Sequence, residues 1–308
     1  MSSNPIVPQR VLDTYLARYN AAQRLEINAT YLEIRDRLMA EHGGKEDRSL
    51  LITAGAPGAG KTTHLRKKAE TAKANGRGYI RIDIDDIMGE FPTVKGELSH
   101  LAAYFETACD LHGGHTSADT THRTALRETS ITWTMAAKYV ADRLLNDCVS
   151  HGLPVAFETS AHNFHIGEFL ANVRDNAYNI ELDLCDAPTA IKQQETQKRF
   201  DRGEAYVNPE FVTLKGNDVM HNIDTYLRYA DIFNIYWRSK SSTALIHAAT
   251  SAPKGAQSIV NQDAAEAFDA NSKDTGVSIE KICATHKALA SQSGSRAIVS
   301  RPSPRLAL

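Results

Sequence analysis

The chain has 308 residues, and the 42% that are hydrophobic suffice for a sizeable core in one large domain or two ordinary ones. Its 35 basic and 37 acidic side chains give a net charge of −2, which disfavours binding to long nucleic-acid duplexes and favours a small substrate. The four cysteines are scattered without a C-x-x-C pair, so neither a zinc ribbon nor a disulfide framework is expected. The sequence contains no membrane-length apolar run and no signal-peptide pattern at its start, so we expect a cytoplasmic protein with no membrane partner.

The first part of the chain reads as a helical extension. Apolar residues recur at helical spacing from Val11 to Met39, and Gly43-Gly44 ends the pattern, so one or two amphipathic helices are expected. A continuous apolar run at residues 50–54 then predicts the first buried strand. A loop at 55–62 leads from it into a helix that is predicted to end at Asn75-Gly76.

Strands and helices then alternate along the chain. Further strands are predicted at residues 78–83, 154–158, 180–185 and 232–237, the last of them closing the sheet. Helices are predicted at residues 98–109, 132–151, from Pro188 to Gly203, and after Asn208. This alternation is typical of an α/β fold, a P-loop NTPase-type three-layer sandwich with a mainly parallel sheet, whose ligands collect at the carboxyl ends of the strands.

Composition sets the predicted boundaries of the core. We expect a helical N-terminal extension at residues 1–47, an α/β core at 48–238 and a C-terminal appendage at 239–308. After Lys240 serine, alanine and asparagine become more frequent, and Phe268 is the single aromatic residue. A helix is predicted from Ser278 to Ala290, followed by a disordered or partner-dependent Ser/Ala-rich tail.

The loop after the first strand carries the most specific motif of the chain. Residues 55–62 fit G-x-x-x-x-G-K-[ST], in which backbone N–H groups surround the phosphates of a nucleotide. Lys61 is expected to reach the β and γ phosphates, and the Thr62 hydroxyl to ligate Mg²⁺. The predicted cofactors are therefore ATP or GTP with Mg²⁺, because the flanking strand and helix argue against a chance match. The predicted nucleotide-binding residues are Gly55, Ala56, Pro57, Gly58, Ala59, Gly60, Lys61, Thr62 and Thr63.

Acidic residues follow the second predicted strand. Phosphoryl transfer to a hydroxyl needs a group that accepts the proton of the hydroxyl, and Asp85 is the favoured base. We expect it beside the phosphate loop, on the neighbouring strand. Asp83 and Asp86 either contact the substrate or magnesium shell or cap the next helix, which is the commoner role of an isolated Asp-x-Asp-Asp.

A carboxylate and a histidine mark the end of the strand predicted at 154–158. Glu158 is expected to order magnesium-bound water or to accept a substrate hydroxyl, with capping of the next helix as the alternative. His162 lies just beyond it and is a candidate substrate contact, although a surface loop histidine is the simpler interpretation.

Two arginines share one face of the helix predicted after Pro188. Arg199 and Arg202 are three residues apart, with Lys192 near the same stripe. Such a face can close over a transferring phosphate, because the planar guanidinium donates two parallel hydrogen bonds. The alternative is a solvated face paired with Glu195 and Asp201.

Taken together these segments resemble the zeta-toxin kinases, P-loop phosphotransferases of bacterial toxin–antitoxin systems. The likeness covers about residues 48–238, and only the phosphate loop is specific by itself, while the other segments match by order and spacing. The matching segments are residues 55–62, Ile82-Asp83-Ile84-Asp85, Phe157-Glu158, Lys198-Arg199-Phe200 and Ala230-Asp231-Ile232-Phe233-Asn234-Ile235-Tyr236.

The resemblance implies a substrate class and a partner. Such kinases phosphorylate the sugar 3′-hydroxyl of UDP-N-acetylglucosamine and so poison cell-wall synthesis, while a relative among plant-pathogen effectors phosphorylates the adenosine ribose of NAD. The expected substrate is thus a nucleotide sugar or a dinucleotide, and an antitoxin or chaperone protein is an expected partner. The site of action would be the cytoplasm of the producing cell, or of a target cell if the protein is delivered as an effector.

The resemblance also assigns roles by position. Lys61 and Thr62 become donor-site residues, Asp85 the base, Glu158 a substrate contact and Arg199 a phosphate-stabilising residue. Asp142, on the helix before Glu158, matches an acidic substrate contact.

Two departures from the family pattern bear on the substrate. The Gly-Thr-Gly-Arg-like segment after the strand-end glutamate is here Thr159-Ser160-Ala161-His162, which lacks the arginine and leaves the acceptor open. The second lid arginine normally follows a glycine, whereas Gly203 is followed by Glu204, so Arg202 is the available substitute. A polynucleotide kinase and a nucleotide-gated switch without turnover are the alternatives, although we see no basic groove interleaved with aromatic residues.

Overall fold

The computed structural model describes residues 5–42, 46–100, 116–159, 166–201, 207–240, 244–252 and 258–293. Its strands are β1 (Ser49–Ala54), β2 (Ile80–Ile82), β3 (Val155–Thr159), β4 (Asn179–Asp186), β5 (Ile232–Trp237), β6 (Ile246–Ser251) and β7 (Ser258–Ile259). Its helices are α1 (Gln9–Leu16), α2 (Ala21–His42), α3 (Lys61–Ala74), α4 (Ile84–Met88), α5 (Thr116–Ser150), α6 (Ile166–Asp175), α7 (Thr189–Asp201), α8 (Pro209–His221), α9 (Ile223–Tyr229), α10 (Gln262–Asn271) and α11 (Ile279–Ser293). Residues 92–100 are also helical, and a 3₁₀ turn spans Lys273–Thr275. Within these ranges no helix combines the length and apolarity needed to cross a bilayer.

The strands form one sheet in the order β2-β3-β1-β4-β5-β6-β7. The strands β1 to β5 run parallel, with Ile52 beside Phe157 and Phe157 beside Ile82. Their carboxyl ends therefore meet at one edge, where the phosphate loop and the strand-end carboxylates lie. The predicted α/β fold with a mainly parallel sheet is confirmed.

The position of β2 differs from expectation. We predicted that Asp85 follows a strand next to β1, but β3 lies between β1 and β2. After β2 the chain leaves the sheet, returns through α5 and inserts β3 beside β1. As a result Glu158, on β3, stands between the phosphate loop and the aspartates that follow β2.

The sheet also continues beyond its predicted last strand. β6 pairs antiparallel with β5, and β7 with β6, so the expectation that 232–237 closes the sheet was wrong. The buried Phe268 of α10 packs edge-on against Trp237 of β5 at 6.1 Å between ring centroids. His286 of α11 is buried and lies 2.9 Å from the Ser251 hydroxyl at the end of β6. The described part of the predicted appendage is thus packed on the sheet.

The predicted helical N-terminal extension is confirmed, and it packs on α5. The Tyr19 hydroxyl, between α1 and α2, donates to the Thr132 carbonyl at 2.6 Å and accepts from the Ala136 N–H at 2.9 Å. Ile27 and Ile34 of α2 are buried in the same core. α5 begins at Thr116, 16 residues before its predicted start at Thr132, and so gives the extension a long surface to pack against.

A buried polar cluster fastens α3 to the sheet. Asp183 of β4 is fully buried and accepts hydrogen bonds from His64 at 2.8 Å, from Lys68 at 2.7 Å and from Asn234 at 2.7 Å. Burial alone would raise the pKa of Asp183, but the hydrogen bond of His64 and the charge of Lys68 outweigh it and lower that pKa. Because His64 and Lys68 lie on α3, the cluster sets how the helix behind the phosphate loop sits on the sheet.

Replacing Asp183 by asparagine tests this anchor. We expect Asp183→Asn to lower the free energy of unfolding by about 3 kcal/mol at pH 7, because Lys68 loses its buried counter-charge. The lowered pKa means that the contribution is complete above the unfolded-state value near ~3.9 and disappears as the pH falls below it. Urea unfolding of variant and wild type should therefore converge in acid.

The matched control is Glu46→Gln, which removes a carboxylate that is 66% exposed and paired with Arg48. Its cost should stay within about 0.5 kcal/mol. An Asp183→Asn loss no larger than that of the control would contradict the anchoring role.

Candidate active site

The phosphate loop is held tightly between β4 and α7. Gly58 has a φ of +79°, and a Cβ atom there would lie 2.2 Å from the Lys192 carbonyl oxygen of α7. A Cβ atom at Gly55 would likewise lie 2.2 Å from the carbonyl oxygen of Cys185 at the end of β4. Glycine is therefore required at both positions by close backbone approach, and at Gly58 also by its left-handed backbone. The same contacts fix the loop's shape.

Lys61 and the start of α3 face the interior of the loop. Lys61 is 8% exposed, and its ammonium group donates to the Ala56 carbonyl oxygen at 3.1 Å, across the loop. The residue before α3 is Gly60, so no side chain caps the N–H groups of the first turn. A buried cation and uncapped helix N–H groups around one loop form an anion-binding site.

Thr62 and Glu158 are brought together by the insertion of β3 beside β1. The Thr62 hydroxyl donates to the Glu158 carboxylate at 2.7 Å. An oxygen pair of this kind, next to a phosphate loop, is the ligand chemistry that Mg²⁺ prefers.

Asp85 is tied to Arg199 across the cleft. The Arg199 guanidinium donates to the Asp85 carboxylate at 3.3 Å. Asp85 follows β2, whereas Arg199 lies on α7, which follows β4, and the strands β3 and β1 lie between those two. The ion pair therefore spans the carboxyl ends of β3 and β1, and the phosphate loop follows β1 at that same edge of the sheet.

Asp83 is the cap of α4. Its carboxylate accepts the Asp85 N–H at 2.9 Å and the Asp86 N–H at 3.4 Å, and its second oxygen lies 3.5 Å from an Arg81 nitrogen. Of the two roles considered for Asp83, the structure shows the cap. The cap orients the first turn of α4, from which the Asp85 side chain projects.

For three predicted site residues, Asp142, His162 and Arg202, the described part of the structure shows no contact that supports the predicted role. Asp142 is buried on α5, with the Lys138 ammonium 3.5 Å away. Burial raises the pKa of its carboxyl, and the Lys138 charge and the Tyr15 hydroxyl of α1 oppose that rise. Its role as a substrate contact stays a prediction. His162 and Arg202 lie outside the described residues, so their roles stay predictions too.

Three charged residues contact the loop or its supports, and two of them, Arg238 and Asp186, were not assigned a role from the sequence. Arg238 follows β5 directly, donates to the Gly58 carbonyl and lies 3.6 Å from the Glu195 carboxylate of α7. Lys192 was expected on the Arg199 stripe, but it is buried and donates to Asp186 at 2.7 Å. Their positions in the sequence could have indicated these roles, because Asp186 ends the strand β4 and Arg238 directly follows β5.

A cavity of about 590 Å³ opens beside Asp85. Its polar wall includes Asp85 and Arg81 from the β2 side, and Arg37 comes from α2. Leu38 of α2 and Leu144 of α5 contribute apolar surface. The volume is in the range of small-molecule binding sites.

Comparison with known proteins decides the family. Residues 35–251, more than two thirds of the chain, match the family model described as Zeta toxin. The chain belongs to the Zeta toxin family. Among curated proteins no match was found. The family region extends past both predicted core boundaries, 48 and 238, so it includes the end of α2 and all of β6.

One solved structure shares the fold at low sequence identity, and two others align less well. A chain from the PezAT chromosomal toxin–antitoxin system of Streptococcus pneumoniae aligns with a TM-score of 0.53 and 13% identity, over 89% of this chain and 97% of that one. A chain of the AvrRxo1-ORF1:-ORF2 complex with ATP gives a TM-score of 0.46 and 13% identity, over 92% and 84%. A putative kinase from Chloroflexus aurantiacus gives 0.33 and 17%, over 56% and 76%. The first of these supports the zeta-toxin-like kinase fold.

The close packing at Gly58 yields a prediction on nucleotide affinity. Gly58→Ala adds a methyl group that collides with the Lys192 carbonyl, so we expect the affinity for ATP with magnesium to fall more than about tenfold, or ~1.4 kcal/mol. The control is Gly76→Ala, which has the same φ of +79° but open space around the added atom. It should cost about 1 kcal/mol of stability and leave affinity unchanged. Equal ATP affinities of the two variants, measured by calorimetry, would contradict the packing argument.

Proposed function

We propose that this zeta-toxin-family protein is a small-molecule kinase that transfers the γ-phosphate of ATP or GTP to a sugar hydroxyl. The first acceptor is the 3′-hydroxyl of UDP-N-acetylglucosamine, and the second is the adenosine ribose of NAD. The observation that carries the proposal is the 3.3 Å ion pair between Asp85 and Arg199, because it joins the proposed base to the proposed phosphate-binding arginine across the sheet edge where the phosphate loop begins.

The donor site follows from the loop geometry. A bound triphosphate would replace the Ala56 carbonyl as the partner of Lys61, since an ionised phosphate accepts a stronger hydrogen bond than a neutral carbonyl. The N–H groups of the loop and of the first turn of α3 would hold the β phosphate. Arg238 contacts both the Gly58 carbonyl and the Glu195 carboxylate, so it would hold the phosphate loop and α7 in fixed relative positions.

Thr62 and Glu158 fit a magnesium ion better than Asp83 does. The Thr62 hydroxyl and the Glu158 carboxylate already lie 2.7 Å apart, whereas both carboxylate oxygens of Asp83 are engaged with α4 and Arg81. Thr62 and Glu158 would hold the ion, which would supply positive charge that neutralises the phosphates. In this assignment Thr62 is the ligand, and Glu158 orders the surrounding water or the acceptor.

The transfer itself requires Asp85 and Arg199 to exchange partners. In the pair, Arg199 donates to one of the two carboxylate oxygens of Asp85, the group that the acceptor hydroxyl would approach. A γ-phosphate in the cleft offers Arg199 a more highly charged partner, and its departure frees Asp85. The acceptor oxygen then forms a bond to the γ-phosphorus, the bond to the β-bridging oxygen breaks, and the acceptor proton passes to Asp85.

Family membership supports the biological part of the proposal. We propose that the kinase acts as a toxin in the cytoplasm of the producing cell, or of a target cell if delivered as an effector. An antitoxin or chaperone partner is part of this proposal, consistent with the PezAT toxin–antitoxin system that supplies one of the similar folds.

Product formation tests the reaction directly. Purified protein with ATP and magnesium should add one phosphate to UDP-N-acetylglucosamine or to NAD, seen as the corresponding mass gain. The Lys61→Ala variant should form no product, because the cation that binds the β and γ phosphates is missing. Absence of product with ATP and GTP and with both acceptors would remove the kinase proposal for these acceptors.

Asp85→Asn separates turnover from binding. We expect kcat to fall about 10³-fold, as for loss of a general base, while ATP affinity stays close to wild type. Asp86→Asn is the matched control, since Asp86 is the next residue and pairs with Arg81. Full activity of Asp85→Asn would exclude Asp85 as the base. A toxic effect that survives Asp85→Asn but not Lys61→Ala would indicate a nucleotide-gated switch.

A further inference from the structure

The cavity beside Asp85 is lined by two separate groups of charges. One group contains the aspartates that follow β2, together with Arg81. The other, which we call the Glu90 cluster, consists of Arg37 on α2, Glu90 after α4, and Lys95 in the helical residues 92–100. The first group contains Asp85 of the proposed catalytic centre, whereas no member of the second has a role in that centre.

The Glu90 cluster has an excess positive charge. The Glu90 carboxylate accepts from Lys95 at 3.0 Å on one oxygen and from Arg37 at 3.4 Å on the other. The hydrogen bond of Lys95 and the charges of both cations lower the pKa of Glu90, which keeps it ionised at neutral pH. One carboxylate thus serves two cations, so the Glu90 cluster carries a net charge of +1, whereas the three aspartates and Arg81 in the other part of the cavity wall carry −2.

Fold stability does not account for this arrangement. The side chains of Arg37 and Lys95 are 46% and 57% exposed, and ion pairs of that exposure contribute little. α2 is attached to the same region by other contacts: its Glu26 accepts from the N–H and hydroxyl of Thr93 at 2.8 and 2.6 Å. Buried Ile27 and Ile34 hold α2 in the core.

We propose that Arg37 and Lys95 form a pyrophosphate-binding subsite of the acceptor pocket, in which Glu90 is the resident counter-charge that the ligand displaces. This inference rests on the proposed function, because both candidate acceptors carry a pyrophosphate as well as the hydroxyl that Asp85 would deprotonate. Two cations converging on one anion match a group with several ionised oxygens, and arginine adds a bidentate donor. The acceptor would be recognised by its anion at the Glu90 cluster and by its hydroxyl at Asp85.

The subsite makes α2 part of the acceptor pocket. Arg37 lies before the predicted core boundary at residue 48 but inside the family region that begins at residue 35. A neutral sugar such as N-acetylglucosamine lacks the anion and should therefore bind far more weakly than its UDP conjugate. The helical extension then contributes to specificity as well as to packing.

Calorimetric binding tests the subsite without requiring turnover. The full chain is saturated with magnesium and the β,γ-methylene analogue of ATP, which fills the phosphate loop, and UDP-N-acetylglucosamine and NAD are then titrated separately. Arg37→Gln and Lys95→Gln should each weaken the binding of the recognised acceptor about tenfold, the effect of losing one charge-assisted contact. Glu90→Gln should instead strengthen it, because the competing carboxylate charge is gone.

The matched control is Arg35→Gln, which removes the same charge from the same helix at a residue that pairs with Asp36. It should leave affinity unchanged, and all variants should keep the wild-type unfolding midpoint. If the Arg37–Glu90 ion pair served only to stabilise the fold, Arg37→Gln and Glu90→Gln would both lower the unfolding midpoint, and neither would change the affinity for the acceptor.

Unchanged affinity in Arg37→Gln and Lys95→Gln, or wild-type protein that binds neither acceptor, would overturn the subsite. Failure of the proposed function alone gives another result. The acceptor would still bind, and Arg37→Gln and Lys95→Gln would still weaken that binding, but no phosphorylated product would form.

Discussion

The ion pair of Asp85 with Arg199 is the contact on which the account of this protein depends. Asp85 comes from the β2 side of the sheet and Arg199 from the helix after β4, so their contact requires the cleft between them to contain the ends of β3 and β1. The proposed base and the proposed phosphate-binding arginine then lie at the sheet edge from which the phosphate loop begins. Without the pair, the phosphate loop and the acidic turn would be two unrelated features of one sheet edge.

Buried polar contacts around the cleft hold its parts in place. The Asp183 cluster fixes α3, the Lys192–Asp186 pair fixes α7, and Arg238 joins the phosphate loop to both β5 and α7. Burial of a charged group costs desolvation free energy, which an ion pair or hydrogen bond to an oppositely charged partner offsets. The phosphate-loop side of the site is thus held by buried contacts, while the cavity beside Asp85 has exposed charges such as Arg37 and Lys95.

Local patterns allowed most of the fold and the position of the phosphate loop to be predicted. The phosphate loop is contiguous and needs glycines at set positions, so residues 55–62 identified it directly. Strand order is set by contacts between distant segments, which explains why β2 was placed next to β1 and why β6 was missed, since its residues are only moderately apolar. The roles of Arg238 and of the Glu90 cluster required coordinates, because their partners are far away in the sequence or lie on separate elements.

The central claim is that a bound triphosphate meets Asp85 in a cleft that Arg199 closes. A crystal structure with magnesium and the β,γ-methylene analogue of ATP tests it most directly. We expect the γ-phosphate on Lys61, the Arg199 guanidinium moved from Asp85 onto that phosphate, and the Asp85 carboxylate within reach of it through a single bridging hydroxyl. A γ-phosphate that points away from Asp85, with the Asp85–Arg199 pair intact, would contradict the account.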